Sequence, residues 1–377
     1  MEIQRIDPRA GTEWDAAVSG LEGFNVFHTG AWAAVLRETY GYTPHYLIAR
    51  EALASDADPS IPFPLQPALQ SGLTEDGSDG RGLGRGSAAL PLLEVDSWLT
   101  GRRGICLPFT DSCPMLGDKD SQRELINEAI QLGEQRKWKY LEFRSDLSDL
   151  EHPKFNEPSI QFHRHTLNLS ASADTLFNGF ESSVRRAIRK AERAGVTIDK
   201  SNTLDALRTY YLLHCQTRQK HGIPPQPFRL FLNLHRHILS QGLGMVITAR
   251  YQSKPIAAAV FLHKGAHSIY KFGASDPVFL ELRANNLVMW KAIQWLSALG
   301  ARILDFGRTS IGQEGLRRFK LGWGAEELAI GYHRYDISTA ACVPSTDDSS
   351  GRHASVLRHV PLSILRLIGA LLYKHVA

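Results

Sequence analysis

The chain has 377 residues, a formal net charge of +4 and a composition that is 43% hydrophobic and 22% charged. This length suffices for two domains with separate cores, and the composition excludes a disordered chain. The small charge argues against general nucleic-acid binding, so any functional charge must be local. The four cysteines form no C-x-x-C pair and no apolar run could cross a bilayer, which predicts a cytoplasmic protein without zinc sites or disulfides.

The first half of the chain alternates helix and strand patterns, and we predict a first domain over residues 1–159. Residues 25–41 carry apolar side chains at helical spacing and end at Gly41, and "PHYLIAREAL" follows as a strand. Residues 55–87 are crowded with Pro, Gly, Asp and Ser, which predicts a long, disordered-looking insertion. Strand, helix and strand patterns then complete the domain.

The second half repeats these patterns, and we predict a second domain over residues 160–340. A strand and a basic helix are followed by two more helices, and residues 244–275 read as three antiparallel strands. A helix that ends at Gly300 and the buried strand "ARILDF" come next. Strands joined by both hairpins and helices predict an α+β (mixed α/β) fold in two tandem units. Residues 341–377 read as a polar linker and a C-terminal amphipathic helix.

Residues 304–327, "LDFGRTSIGQEGLRRFKLGWGAEE", begin with the Asp-Phe-Gly triplet of protein kinases. The Gly-rich loop, strand lysine and catalytic loop of a kinase are missing from the sequence, so the triplet needs another explanation. Asp305 ends a strand, Gly307 opens a loop, and Lys320 precedes a glycine-rich turn. Such a lysine can be partly desolvated beside a substrate carbonyl and stabilise a developing oxyanion. The alternative is a surface lysine in a hairpin, with Trp323 anchoring the core.

The segment "SSVRRAIRKAERAGVTI" predicts a strongly amphipathic helix. An apolar stripe leaves a basic arc formed by Arg185, Arg186, Arg189, Lys190 and Arg193. One guanidinium group can bind two phosphate oxygens at once, so this arc could hold a diphosphate or an RNA backbone. The equally favoured alternative is a solvated helix face. The histidine pairs at 163/165 and 235/237 have no evident third ligand, and no metal site is predicted.

Four segments together resemble the FemAB-like branch of the GNAT superfamily, and more narrowly its subgroup found with bacterial exopolysaccharide and exosortase gene clusters. They are residues 27–50, 90–116, 183–196 and 284–327. The D-F-G-R…F-K-x-x-W-G block is the most specific of the matching motifs. The segment "GRGLGRG" at residues 80–86 also matches the R-x-x-G-x-G loop that holds coenzyme A in many acetyltransferases. It meets Pro91 before a helix could start, so we interpret that match as fortuitous.

The resemblance implies two tandem GNAT-like domains that transfer an acyl or aminoacyl group onto an amine. In cell-wall members of the family the donor is aminoacyl-tRNA and the acceptor is a peptidoglycan precursor, whereas other relatives use acyl-CoA. By position, Lys320 matches the family lysine near the transferred carbonyl, and Arg185, Arg186 and Arg189 match the basic helix near acceptor phosphates. The remaining predicted substrate-binding residues are Gly307, Arg308, Lys190, Trp323, Asn285 and Tyr270.

We therefore predict a cytoplasmic N-acyltransferase that modifies an amine on a cell-envelope glycan or peptidoglycan-type precursor, without a bound cofactor. Asp305 is the predicted proton acceptor for the attacking amine, and Lys320 the predicted carbonyl-polarising group. The competing hypothesis is a non-catalytic adaptor that binds polysaccharide-assembly partners or RNA at the membrane surface. The apolar C-terminal helix either packs on the second domain or lies in a lipid headgroup region, which would suit a lipid-linked acceptor at the inner membrane face.

Overall fold

The computed structural model describes residues 1–50, 88–347 and 354–376 of the chain. The insertion predicted at residues 55–87, with its "GRGLGRG" segment, lies outside the described residues. Within the described residues, no helix combines the length and the hydrophobicity that a membrane span requires.

Helices form where apolar residues recur at helical spacing, and several of them end at a left-handed glycine. Gly41 and Gly195 have this conformation at or just beyond helix ends. The helices are α1 (Glu13–Val18), α2 (Gly30–Tyr40), α3 (Lys119–Arg136), α4 (Ala173–Gly179), α5 (Ser182–Arg193), α6 (Leu204–Lys220), α7 (Phe228–His237), α8 (Ala284–Ala298), α9 (Glu314–Leu321), α10 (Ala354–Leu357) and α11 (Leu362–Leu372).

The strands form a small antiparallel sheet and a large mixed sheet. They are β1 (Glu2–Ile6), β2 (Thr43–Pro44), β3 (Tyr46–Arg50), β4 (Ala88–Leu90), β5 (Leu93–Val95), β6 (Arg103–Ile105), β7 (Leu116–Gly117), β8 (Tyr140–Phe143), β9 (Ile160–Asn168), β10 (Thr197–Ser201), β11 (Gly244–Tyr251), β12 (Lys254–Lys264), β13 (His267–Ser275), β14 (Ile303–Ser310), β15 (Glu326–Asp336) and β16 (Ala341–Cys342). The small sheet has the order β1-β3-β4-β7, and the large one β10-β11-β12-β13-β14-β9-β15-β8-β6-β5-β2, with β16 beside β15.

Strand β15 joins the two halves of the molecule into one sheet. Its first part, up to Tyr332, pairs with β9, and its last part, from His333, pairs with β8. The large sheet contains two parallel pairs, β6 with β8 and β13 with β14, while its other neighbouring strands are antiparallel. This arrangement confirms the predicted α+β fold with mixed connections, and it puts one parallel pair in each half.

Two predicted elements differ from the structure. Residues 314–321 form helix α9, and the following residues form the long strand β15, so Lys320 lies on a helix and not in a hairpin. The single C-terminal helix expected within residues 341–377 is instead two helices, α10 and α11. Helix α10 ends at Leu357, and α11 begins after its N-cap, Pro361. A proline at this position would interrupt one continuous helix, because it lacks the backbone N–H and clashes with the preceding turn.

Candidate functional site

The site begins where β13 and β14 separate. Their parallel ladder joins three residues of each strand and ends at the pair Ile269–Asp305. Beyond that pair, the register of β14 against β9 shifts between Asp305 and Arg308. Gly307 lies in this bulge with φ of +74°, a conformation that L side chains rarely adopt. Both strands continue beyond Ile269 and Asp305 without pairing to each other, which leaves a gap between their carboxyl ends.

Asp305 and Lys320 hold the bulge in place from behind. The Asp305 carboxylate accepts a hydrogen bond of 2.7 Å from the Gly307 backbone N–H, and Arg164 contacts its other oxygen at 2.8 Å. The buried Lys320 donates from Nζ to the carbonyl oxygens of Gly307, at 2.7 Å, and Arg308, at 2.9 Å. Burial lowers the pKa of the Lys320 ammonium to about 8. The motif residues are therefore brought together, as a frame around the bulge.

A cavity of about 650 Å³ lies between the carboxyl ends of the two parallel ladders. The first-domain ladder, β6 with β8, ends at Ile105 and Glu142. Ligand crevices commonly form where neighbouring parallel strands part. Both halves of the chain and its C-terminal segment contribute to the wall. Among the lining residues are Trp32, Phe109, Thr110, Asp111, Glu142, Arg144, Phe162, Arg218, Lys271, Phe272, Arg308, Tyr332, Arg334, Leu372, Tyr373 and Val376.

Two cations of this interdomain cavity come from the separated strands. Lys271 of β13 donates from Nζ to the Phe109 carbonyl at 2.5 Å, and burial lowers the pKa of its ammonium. Arg308 of β14 stacks over the ring of Phe162, with its guanidinium carbon 4.2 Å from the centroid, and over Tyr332 at 5.2 Å. Each of the two separated strands therefore contributes one cation to the cavity wall.

A buried ion cluster forms the first-domain wall of the cavity. The Glu142 carboxylate lies 3.0 Å from Arg144 Nε and 2.7 Å from Arg334 Nη2. Burial alone would raise the pKa of Glu142, but the two guanidinium groups outweigh it and hold the pKa below its usual value. Glu142 is thus kept ionised and ion-paired with Arg144 and Arg334, which makes it a poor proton acceptor.

Asp111 reaches from the first domain to the bulge of the second. A Cβ atom at position 307 would lie 2.5 Å from Asp111 Oδ2, so the carboxylate occupies space that only glycine leaves free. Its other oxygen is 4.0 Å from Arg308 Nε, and its backbone carbonyl accepts a hydrogen bond of 2.5 Å from the Tyr332 hydroxyl. Asp111 is a carboxylate that faces the cavity beside the separated strands.

A second, more open cleft of about 590 Å³ lies between α5, the start of α8 and α9. Its cations are Arg186, Lys190, Arg283 and Arg318. Glu181, at the N-cap of α5, is the acidic residue of its lining. Polyanions such as phosphate groups would be attracted to this basic cleft.

The predicted site residues fall into three groups. Arg186 and Lys190 line the basic cleft, and Arg308 lines the interdomain cavity. Arg189 stacks on Phe177, Arg185 is half-buried on α5, and Asn285 is exposed at the start of α8, where its neighbour Asn286 lines the cleft instead. Asp305, Gly307, Lys320, Trp323 and Tyr270 are not among the lining residues of either cavity.

Trp323 and Tyr270 pack against other aromatic side chains. Trp323 is fully buried and its ring lies 5.0 Å from that of Phe180, which is the core position given as the alternative to a binding role. The Tyr270 ring packs 5.4 Å from that of Phe261. Burial raises the pKa of the Tyr270 hydroxyl to about 12, so this group stays protonated at neutral pH.

The sequence reasoning missed Asp111, Glu142, Arg144 and Lys271. Glu142 and Arg144 stand at the end of the strand pattern "KYLEFRS", where polar residues that follow an apolar strand are candidates for a site. Lys271 interrupts the apolar strand "IYKF", and a charged residue within such a strand was an available signal. Asp111 lies in an irregular segment that carries no comparable pattern.

Comparisons with known proteins identify a matching domain family and similar folds. Residues 179–328 match the family model of the acetyltransferase (GNAT) domain. The fold is similar to the crystal structure of FemX, at 16% identity and a TM-score of 0.65, over 89% of this chain and 97% of that one. It is also similar to a tandem GNAT protein from the clavulanic acid biosynthesis pathway, at 10% identity and a TM-score of 0.51, over 92% and 99% of the two chains. No curated protein sequence matches this chain.

These likenesses confirm the predicted two-domain GNAT fold. The matched segment contains the separated strands, the basic cleft and Lys320, and it supports an acyltransferase of the GNAT superfamily in general. The sequence identities to the solved structures are too low to transfer a substrate, so the donor and the acceptor have to be inferred from this chain's own residues.

Proposed function

We propose that the protein is an N-acyltransferase, which moves an acyl or aminoacyl group from acyl-CoA or aminoacyl-tRNA to an amine held in the interdomain cavity. The observation that carries the proposal is the gap between β13 and β14, which opens into that cavity within the segment that matches a GNAT domain. A donor placed along the gap would present its reactive carbonyl to an acceptor in the cavity. Holding two reactants in this way supplies much of the rate of a transfer reaction.

The basic cleft is the proposed site for the phosphates of the donor, whereas the resemblance implied acceptor phosphates near this helix. Coenzyme A carries a pyrophosphate, and tRNA carries a phosphodiester backbone, so both donors need a cationic surface. Arg186, Lys190, Arg283 and Arg318 supply four positive charges around the start of α8. The positive end of that helix adds to the attraction.

The chemical step needs a neutral amine, a proton acceptor and a stabilised oxyanion. The amine nitrogen forms a bond to the acyl carbon, and the C–S bond of a thioester or the C–O bond of an ester breaks. The amine proton passes to a carboxylate, and the leaving thiolate or alkoxide takes up a proton. We assign the proton acceptor to Asp111, because both oxygens of Asp305 are already engaged by Gly307 and Arg164.

Lys320 acts in this proposal by positioning the bulge and by its charge. Two of its N–H bonds are directed at the carbonyls of Gly307 and Arg308, which keeps the gap open. Its ammonium lies behind the separated strands, where a positive charge favours an oxyanion formed in the gap. Its role near the carbonyl, predicted from the resemblance, stays a prediction.

The cavity favours an anionic acceptor with flat or ring-shaped parts. Lys271 and Arg308 offer positive charge, and the rings of Trp32, Phe109 and Phe272 offer apolar faces against which a sugar or a base can pack. We therefore keep a phosphorylated cell-envelope glycan, of the peptidoglycan or exopolysaccharide type, as the proposed acceptor class. A volume of about 650 Å³ is within the usual range for a site that encloses a small molecule.

Titration calorimetry with coenzyme A and acetyl-CoA, and filter binding with aminoacyl-tRNA, test the donor site. Arg318→Glu reverses one cation of the basic cleft and should weaken binding of the true donor by about tenfold or more. Arg193→Glu makes the same charge change on the exposed end of α5, outside the cleft lining, and is the matched control. Equal losses in the two variants would exclude the cleft as the donor site.

Turnover is tested by release of free thiol, or of deacylated tRNA, when phosphorylated amino sugars are offered. Asp111→Asn should lower turnover by about 100-fold, since general-base catalysis commonly contributes that much, and should leave donor affinity unchanged. Transfer at the parent rate in Asp111→Asn would exclude Asp111 as the base. Tight RNA binding without any transfer would favour the adaptor hypothesis over the enzyme.

A further inference from the structure

The C-terminal segment, residues 354–376, is fixed across both domains. The Tyr373 hydroxyl donates to the Pro224 carbonyl at 3.0 Å and accepts from Arg218 Nη2 at 2.6 Å, both in the second half of the chain. The backbone carbonyl of His375 accepts from Arg103 Nη2 at 2.7 Å, in the first domain. A Cβ at Gly369 would come within 2.0 Å of the Pro225 carbonyl oxygen, so the helix lies close against its support.

This docking uses one side of α11 and leaves an apolar side in solvent. Leu365 and Gly369 are buried against the protein. Ile364, Leu367 and Leu371 follow one another at spacings of three and four residues, so they share the opposite face of the helix. Leu367 is 60% and Leu371 57% exposed. A helix that had only to pack on the domain would carry polar residues at these positions.

A second group of exposed apolar side chains lies on the first domain, beside the end of the C-terminal segment. Trp98 is 85% exposed, with its ring 5.5 Å from that of His375 at the end of the segment, and Leu99 beside it is also exposed. We define the C-terminal apolar surface as Ile364, Leu367, Leu371, Val376, Trp98 and Leu99. Large exposed apolar side chains that are grouped in this way mark an interaction surface.

The charges around this surface are mainly positive. Residues 354–376 contain Arg358, Arg366 and Lys374 and no aspartate or glutamate. Near the Trp98 turn, Lys139 Nζ donates to the Thr100 carbonyl, and the nearby Asp96 is paired with Arg102. An exposed tryptophan, a leucine-rich helix face and flanking cations complement a lipid surface with anionic headgroups.

We propose that the C-terminal apolar surface docks the protein on a bilayer that contains anionic lipids. Helix α11 has 11 residues and is therefore about 16 Å long, roughly half of what a span requires, so it would lie in the plane of the headgroups. Leu372 and Val376 are exposed and also line the interdomain cavity, which places the bilayer at the cavity mouth. The docking surface itself does not depend on the proposed acyl transfer.

Vesicle sedimentation of the full-length chain tests the proposal. Vesicles of phosphatidylcholine alone are compared with vesicles that also contain phosphatidylglycerol, and sedimentation should be stronger with the anionic mixture and fall as salt is added. The double variant Leu367→Glu, Leu371→Glu should lower the partition coefficient by about 100-fold, because two leucines are no longer inserted. Leu299→Glu, on an exposed leucine beyond the end of α8, is the matched control and should bind as the parent does.

The outcomes separate a membrane from other occupants of the surface. Absence of sedimentation with anionic vesicles, or equal binding by the double variant and Leu299→Glu, would overturn the proposal. A concentration-dependent dimer in analytical ultracentrifugation that the double variant abolishes, without vesicle binding, would assign the surface to a second copy of the chain. Donor binding in the basic cleft is measured separately in the same variants, so a failure here is distinguishable from a failure of the proposed function.

Discussion

The free energy of unfolding of the parent should rise between neutral and alkaline pH, and the variant Lys320→Met should lose most of that rise. Lys320 is 2% exposed, and its Nζ donates to the carbonyls of Gly307 and Arg308. Methionine has a similar length and volume and carries no charge or donor. Lys320→Met therefore removes the ammonium and leaves the packing of α9 against β14 largely in place. The variant therefore tests the contribution of the charge to stability while the volume of the side chain is kept.

The magnitude follows from the pKa of the ammonium in the two states. Burial lowers the folded pKa to about 8 from an ordinary value of 10.5, so the unfolded chain binds more protons between those two pH values. Stability rises with pH wherever the unfolded state binds more protons. Below about pH 8 both states are protonated and the full cost of burying the charge, about 3 kcal/mol, opposes folding. Between about pH 7.5 and 9.5 this cost should fall by about 2 kcal/mol.

Urea unfolding followed by tryptophan fluorescence at those two pH values measures the effect. The free energy of unfolding of the parent should increase by about 2 kcal/mol relative to that of Lys320→Met, with unchanged m values. Lys200→Met removes an exposed ammonium on β10 and reports what the loss of a surface charge does by itself. Parallel pH dependences of the parent and Lys320→Met would refute the placement of a buried ammonium behind the bulge.

Two further substitutions test the walls of the cavity. Gly307→Ala should cost more stability than Gly242→Ala, by about 1 kcal/mol, because both have a positive φ but only the methyl group at 307 meets a neighbour, the Asp111 carboxylate. Thermal unfolding checks this difference, and equal losses would show that Asp111 does not occupy the bulge. Glu142→Gln should destabilise the fold by about 3 kcal/mol, since it leaves two guanidinium groups without their counter-charge. A loss below about 1 kcal/mol in urea unfolding would contradict that account.

The elements that could be predicted are those whose pattern is local. The basic helix α5, helix α8 and the three strands β11 to β13 agree with the predictions, because each is specified by its own periodicity and turn residues. Helix α9 was missed although Leu316, Phe319, Lys320 and Trp323 recur at helical spacing. The surrounding glycines favoured a turn, and a lysine on the buried side of a helix obscured the apolar stripe.

The residues that line the interdomain cavity could not be predicted, because they come from segments that are far apart in the sequence. Asp111 meets Gly307 across the boundary between the two halves, and Tyr373 closes the wall from the end of the chain. These approaches depend on β15 pairing with β9 and with β8, which is a long-range register that no local pattern specifies. The resemblance drew attention to the 304–327 block, yet it did not distinguish Arg308, which lines the cavity, from Asp305 and Lys320, which bind the backbone of the bulge.

The structure explains why the residues of that block occur together. The bulge favours a glycine at 307, whose φ is positive. Lys320 of α9 donates hydrogen bonds to the carbonyls of Gly307 and Arg308. The Asp305 carboxylate binds the Gly307 N–H, so it fixes the same turn from the other side. By fixing the bulge, Asp305 and Lys320 position Arg308 in the cavity wall, where it lies beside Asp111 and over the ring of Phe162. Substitution of Lys320 or Asp305 would therefore displace Arg308, even if neither residue touches a ligand. A strong loss of turnover in either variant would not by itself make that residue catalytic.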